Sequence, residues 1–275
     1  MTPTKRSGFT LVELTITLAI IGLIAGGVMA GQAFIQAGNL RALTSDMTLY
    51  QRAILQFRND FGGWPGDFAK ATTYWGTAGG TGSDATCYGL DKSAMKETCN
   101  GNGDSFIATV NPATAVNDAL EPYLAWQHLA NADLIGGSYT GKTANTGGYG
   151  TIAGVNTPVG RMPTSTFVMR HLNNAYTTGA YCPTSDATYY DGCYGLIMQV
   201  GNGRQPTNFN PGSSFITGAE MSSIDKKIDD NMPGFGQIRA YKARTNCTTS
   251  STLYNLSNTT KSCDMIVGIE PIRPL

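Results

Sequence analysis

Gly8-Phe9-Thr10-Leu11-Val12-Glu13-Leu14 opens the stretch on which the reading of this 275-residue chain turns. From Phe9 to Ala30 nearly every residue is apolar or small, and one carboxylate, Glu13, interrupts the run. The run is long enough to cross a bilayer core, which needs about 20 residues. Before it lies a short leader, Met1 to Gly8, carrying Lys5 and Arg6. A carboxylate inside such a span is expensive, so it marks function and calls for a partner. If the chain is cut between Gly8 and Phe9, the new α-amine lies one helical turn from Glu13. That amine, or the same group on a neighbouring subunit, can pair with Glu13. A secretory signal would place a small-residue cut site after its apolar core, whereas the Gly-Phe junction precedes this one.

Working outward, Gly22, Gly26, Gly27 and Gly31 give the apolar run small-xxx-small spacing, which lets helices approach closely in lipid. The helical pattern then continues. Leu40, Leu43, Met47, Tyr50, Ile54, Phe57 and Phe61 form an apolar seam of heptad period, with Arg41, Asp46, Arg52, Arg58 and Asp60 between them. Packing against a globular head is the expected role of this seam, and a coiled coil is the alternative. A continuous helix from Phe9 to Phe61 would run about 80 Å at 1.5 Å per residue. Gly62-Gly63-Trp64-Pro65-Gly66-Asp67 ends it, because glycine accepts the left-handed cap conformation and proline cannot continue a helix.

Formal net charge is +0 and only 14% of residues are charged, which argues against nucleic-acid binding driven by bulk electrostatics. The six cysteines form three local couples: Cys87 with Cys99, Cys182 with Cys193, and Cys247 with Cys263. None makes a C-x-x-C pair and the two histidines, His128 and His171, stand far from them, so a zinc site is poorly supported. An even count reads as disulfides formed in an oxidising compartment, with the connectivity open. Lys5 and Arg6 place the leader in the cytoplasm by the positive-inside rule. The two arguments agree that the cysteine-bearing part lies outside.

Lys-Arg-Ser-Gly followed by Phe-Thr-Leu-Val-Glu resembles the leader of type IV prepilins and of type II secretion pseudopilins. The resemblance implies that prepilin peptidase cuts after Gly8 and N-methylates Phe9, and that Glu13 docks an incoming subunit. It implies an α+β, pilin-like fold. A leader (1–8) precedes a long N-terminal helix (9–61), whose first part (9–30) is the membrane and filament-core segment. That helix packs against a head (62–275) with an antiparallel sheet and disulfide-clipped loops. It also implies a single-pass protein of the bacterial inner membrane with a periplasmic head, which later enters a pilus or pseudopilus. Its partners would be membrane lipid, the peptidase, the inner-membrane assembly platform, and copies of itself or related pilins. Many type IV pilins carry a helix-bending proline in the apolar segment, and this chain has none there.

Within the head, Asn117 to Ile135 reads as a surface helix interrupted by Pro122. Phe167–Leu172, Tyr194–Val200, Gln237–Ala243 and Met265–Glu270 read as strands. Thr217-Gly218-Ala219-Glu220 fits a capping box opening a helix with an apolar stripe of Met221, Ile224 and Ile228. Residues 68–117 and 136–165 read as loop and long connection. Asn100-Gly101-Asn102-Gly103-Asp104 sets side-chain oxygens at alternate positions, as calcium loops do, but lacks a bidentate Glu at the expected distance. Asp225, Asp229 and Asp230 cluster carboxylates at a helix C-terminus, an unfavourable place for negative charge unless something offsets it. Lys226 and Lys227 offset part of it, and calcium is the candidate for the rest. Turn formation by Asp and Asn is the plainer reading.

The residues therefore predict a filament subunit that needs no cofactor beyond that possible calcium. A binding module, such as a minor pilin or adhesin at a filament tip, is the alternative. A membrane-anchored periplasmic enzyme is a remote third, because no catalytic constellation, phosphate loop or dinucleotide fingerprint is present.

Overall fold

The computed structural model describes residues 8–78, 96–107, 121–142, 150–172, 190–205, 214–241 and 246–272. The chain divides into two compact units, Met1–Arg41 and Ala42–Leu275. Helix α1 (Leu11–Phe61) contributes to both.

In the second unit α1 buries Leu43, Met47, Tyr50, Ile54 and Phe57, the seam read from the heptad spacing, together with Asp46 and Ala53. The partner is the chain's own head, not another helix of the same kind. Tyr50 lies edge-on to Trp126 and Phe167, with ring centroids at 5.2 and 4.8 Å. Removing each such side chain from water stabilises the fold by about 1.5–3 kcal/mol. Asp46, buried on the same face, accepts hydrogen bonds from the Arg161 backbone N–H at 2.8 Å and from its guanidinium Nε, tying α1 to the turn before the sheet.

Gly62 ends the helix in the left-handed region, φ 75°, and its N–H donates to Arg58 O at 2.9 Å. Phe57, Phe61, Phe68 and Trp75 then close an aromatic cluster with the short helix α2 (Ala71–Trp75). Gly66 is required on two counts: its φ is 91°, and an added Cβ would lie 2.3 Å from Glu121 O.

Helix α3 (Glu121–Asn131) departs from the sequence reading. Every residue from Glu121 to Leu129 is buried, so this is no surface helix. Its polar side chains are matched by distant groups: Glu121 accepts from Asn102 N–H, Gln127 from Thr98 Oγ1, and His128 Nδ1 from Gly66 N–H. Pro122 does not interrupt it. It sits in the first turn, where the missing N–H has no partner to lose. Residues 117–120 lie outside the described residues.

Strands β1 (Thr151–Ile152), β2 (Ser165–His171), β3 (Leu196–Asn202), β4 (Arg204–Gln205), β5 (Ile238–Tyr241) and β6 (Asp264–Gly268) follow the sequence readings closely. The exception is the two-residue pairing β1–β4, which begins within the stretch read as a long connection. The main sheet is antiparallel, in the order β2-β3-β6-β5. Period-two alternation puts Phe167, Met198, Val200, Met265 and Val267 on the face that meets Tyr50. Ile197, Ile266 and Tyr241 face the other way and pack with Leu172, Tyr194 and Ile272. Helix α4 (Gly218–Ile228) is opened by the expected capping box: Thr217 Oγ1 accepts from Glu220 N–H and Glu220 accepts from Thr217 N–H. A disulfide joins Cys247 to Cys263, and Cys99 and Cys193 are disulfide-bonded as well. Cys87 and Cys182 lie outside the described residues. The arrangement is the α+β, pilin-like one: a long N-terminal helix, an antiparallel sheet and a disulfide-clipped loop.

His171, the last residue of β2, is buried against Trp64 and Phe106. Its Nδ1 accepts the Ile107 N–H at 2.7 Å, which requires an unprotonated nitrogen. Burial, helped by the charge of Arg58, lowers its pKa from 6.5 to about 4. Between these values the unfolded chain binds a proton that the folded chain refuses, so stability falls as pH drops through the window. A depression of this size is worth up to about 3 kcal/mol. We expect the melting temperature of the wild type to fall more steeply from pH 6.5 to 4 than that of His171→Gln; parallel profiles would refute the assignment.

Candidate functional site

The first unit carries almost no internal cover. Phe9 is 87% exposed, and Leu11, Val12, Leu14, Ile16, Leu18, Ile20, Ile21, Leu23 and Ile24 are each more than half exposed. An 18-residue window of α1 is apolar enough to span a membrane, and none of it is buried. At about 25 cal/mol per Å² of apolar surface, this segment cannot rest in water. Its few hydroxyls do not spoil it for lipid. Thr15 Oγ1 donates to Val12 O at 2.9 Å, and Thr17 Oγ1 to Leu14 O at 2.8 Å, so both are satisfied within the helix. A Cβ added at Gly22, Gly26, Gly27 or Gly31 would meet nothing within 4 Å, which leaves the small-residue stripe as open surface.

Glu13 sits three residues after Thr10 and turns back on it. Its Oε2 accepts the Thr10 N–H at 2.9 Å and the Thr10 hydroxyl at 2.8 Å, while Thr10 Oγ1 accepts the Glu13 N–H at 3.3 Å. Leu14 N–H donates to Thr10 O, making Thr10 the N-cap and Glu13 the third helical residue. This is a capping box: the carboxylate satisfies N-terminal groups that would otherwise face lipid unpaired. The sequence reading missed the role of Thr10. The signal was present, since Thr-x-x-Glu directly before an apolar run is the signature of a capped helix start. Gly8 and Phe9 lie exposed just before the cap.

A second grouping lies in the head. Asp225, Asp229 and Asp230 each bring one carboxylate oxygen within 4.8 Å of the others. Asp225 is fully buried, and burial is the main cause that lifts its pKa to about 7. The hydrogen bond from Tyr254 opposes the rise, and the charges of Asp230 and Asp229 add to it. By contrast, the calcium-like spacing at Asn100–Asp104 is used otherwise. Asn100 Oδ1 accepts Thr72 N–H, Asn102 Oδ1 accepts Asp104 N–H, and Asp104 Oδ1 accepts Phe106 N–H. The backbone N–H groups of Gly103, Asp104 and Ser105 converge on the Asp67 carboxylate. That loop is therefore arranged around an anionic side chain. His128 holds no ligand position either. Nδ1 accepts Gly66 N–H and Nε2 faces Cys99 O at 3.1 Å, so the ring is a structural brace.

Residues 3–29 match the family model described as the prokaryotic N-terminal methylation motif, the prepilin-type cleavage and methylation signature. No curated protein and no solved structure matches the chain. The motif, with the uncovered apolar helix that follows it, supports a membrane-anchored precursor of the type IV pilin or pseudopilin kind.

The cap is directly testable. Thr10→Val keeps the side-chain shape and removes the hydroxyl, at a cost of about 1 kcal/mol to the first turn. Amide exchange in detergent micelles should quicken at Leu11–Leu14 and stay unchanged beyond Thr17; unaltered exchange at Leu11–Leu14 would remove the capping role.

Proposed function

We propose that the chain is the precursor of a structural subunit that assembles into a type IV pilus or a type II secretion pseudopilus. The observation that carries this reading is the methylation motif, with Glu13 at the head of an apolar helix window of which, among the described residues, none is buried. The leader, with Lys5 and Arg6, stays on the cytoplasmic side, and the disulfide-bonded head faces the periplasm. Prepilin peptidase cuts between Gly8 and Phe9 and methylates the new N-terminus. In the precursor Glu13 is held by the Thr10 cap. After cleavage, the α-amine of Phe9 on a neighbouring subunit offers a charged donor in place of neutral ones. Hydrogen bonds between charged groups are roughly twice as strong as neutral ones, and more so away from water. The exchange draws subunits together at the assembly platform, and the apolar helices trade lipid for one another. Copies of this chain or related pilins are the partners, and the mechanism is mechanical, with no catalytic step.

Two substitutions separate processing from assembly. Gly8→Leu should leave an uncut precursor in the membrane, seen as an intact mass that still contains residues 1–8; normal processing would count against the cleavage assignment. Glu13→Ala should be cut normally yet lower the yield of sheared filaments roughly tenfold or more, the scale of leaving a buried charge unpartnered. Wild-type yield from that variant would exclude docking by Glu13.

A further inference from the structure

We infer that His171 is an acid-operated catch: its neutral ring holds Ile107 against the outer edge of β2, and a proton on the ring releases that contact. The catch closes one end of a strap, residues 102–107. Each backbone N–H of the strap ends on a side chain. Glu121 accepts from Asn102, and Asp67 from Gly103, Asp104 and Ser105. Asp104 accepts from Phe106 and His171 from Ile107. All of these acceptors are groups that can take up a proton.

Ile107 and His171 exchange two hydrogen bonds. The Ile107 N–H donates to His171 Nδ1 at 2.7 Å, and the His171 N–H donates to Ile107 O at 2.9 Å. β2 is the outermost strand of its sheet, so Ile107 supplies pairing at an edge that would otherwise stand open there. A proton on Nδ1 would set donor against donor and break the first bond. It would also place a cation in a buried slot beside Trp64 and Phe106. The Arg58 guanidinium already stacks on Trp64, 4.0 Å from its centroid, so the new charge would meet one of its own sign.

The other charged groups on the surrounding elements are engaged elsewhere. Arg170, the preceding residue of β2, donates to Gln199, and Glu270 pairs with Arg58 at 3.4 Å. On α3, Glu121 accepts the Asn102 N–H and His128 the Gly66 N–H. Burial and the charge of Arg58 hold the His171 pKa at about 4 in the closed strap. Opening returns the ring toward 6.5, so opening takes up a proton and acid drives it. Asp67 works in the opposite sense. Burial first, then the charge of Asp104, lift it to about 6 against the three N–H bonds it accepts. Opening around Asp67 would release a proton, so acid keeps the middle of the strap shut. Ser105 stands between the two regions at φ 73°, a left-handed conformation that a residue with a Cβ adopts at a cost. The acid response is therefore confined to the Ile107 end, where a short local opening uncovers the edge of β2.

The test is amide hydrogen exchange on the full chain in detergent, resolved to single residues and corrected at each pH for the rate of an unprotected amide. As pH falls from 6.5 to 4, opening at the Ile107 and His171 amides should rise by up to about tenfold per pH unit. Gly103, Asp104 and Ser105 should hold or gain protection over the same range. His171→Gln keeps an acceptor that does not titrate and should flatten the response at Ile107. Arg58→Gln, a change at an exposed side chain, removes the like charge and should move the onset of opening to higher pH. The catch is overturned if the wild-type Ile107 and His171 amides stay equally protected throughout, or if His171→Gln opens with acid as the wild type does. It is equally overturned if Gly103–Ser105 open in step with Ile107, which would mean that the strap lets go as a whole. Should His171→Gln fail to fold, an Arg58→Gln profile identical to that of the wild type would overturn it.

Discussion

An apolar helix face must be kept from water, and α1 poses that requirement along its whole length. From Leu43 to Phe57 the face is answered within the chain by Trp126, Phe167 and the aromatic group around Phe68 and Trp75. From Phe9 to Ile35 the large apolar side chains stay open among the described residues. The first stretch makes a head that folds on its own core. The second makes a segment that needs lipid or other helices. A filament subunit requires this division: one part complete, the other complete only in company.

The polar groups follow the same logic. Thr15 and Thr17 return their hydroxyls to the backbone, and Thr10 with Glu13 closes the first turn. Within the apolar segment the hydroxyls of Thr10, Thr15 and Thr17 and the Glu13 carboxylate all find hydrogen-bond partners inside the helix itself. The Glu13 charge is compensated, among the described residues, by the neutral N–H and hydroxyl of Thr10. In the head, the buried Asp46 is treated differently, being fixed by a backbone N–H and a guanidinium of the same chain.

Much of this was legible beforehand because it is local. The seam was readable from heptad spacing, the end of α1 from Gly62 and Pro65, and the start of α4 from Thr217 and Glu220. The four long strands were readable as short apolar runs. What escaped was decided by distant partners. Glu121, Gln127 and His128 made α3 look half solvated, yet each meets a group some twenty to sixty residues away, so the helix is buried. The oxygens of Asn100–Asp104 have the right spacing for a cation, but spacing does not reveal that Asp67 already occupies the loop's N–H groups. The three aspartates were readable as a cluster, whereas the burial of Asp225 and its bond to Tyr254 depend on where the disulfide loop lands.

The placement of the tryptophans has an optical consequence. The chain has three, and each lies against α1 beyond residue 42: the Arg58 guanidinium stacks 4.0 Å over Trp64, Trp75 contacts Phe57 and Phe61, and Trp126 meets Tyr50. Intrinsic emission therefore reports whether the head grips its helix, and it is blind to the bilayer-seeking stretch. Light from this protein will follow the fate of one half of α1 without interference from the other.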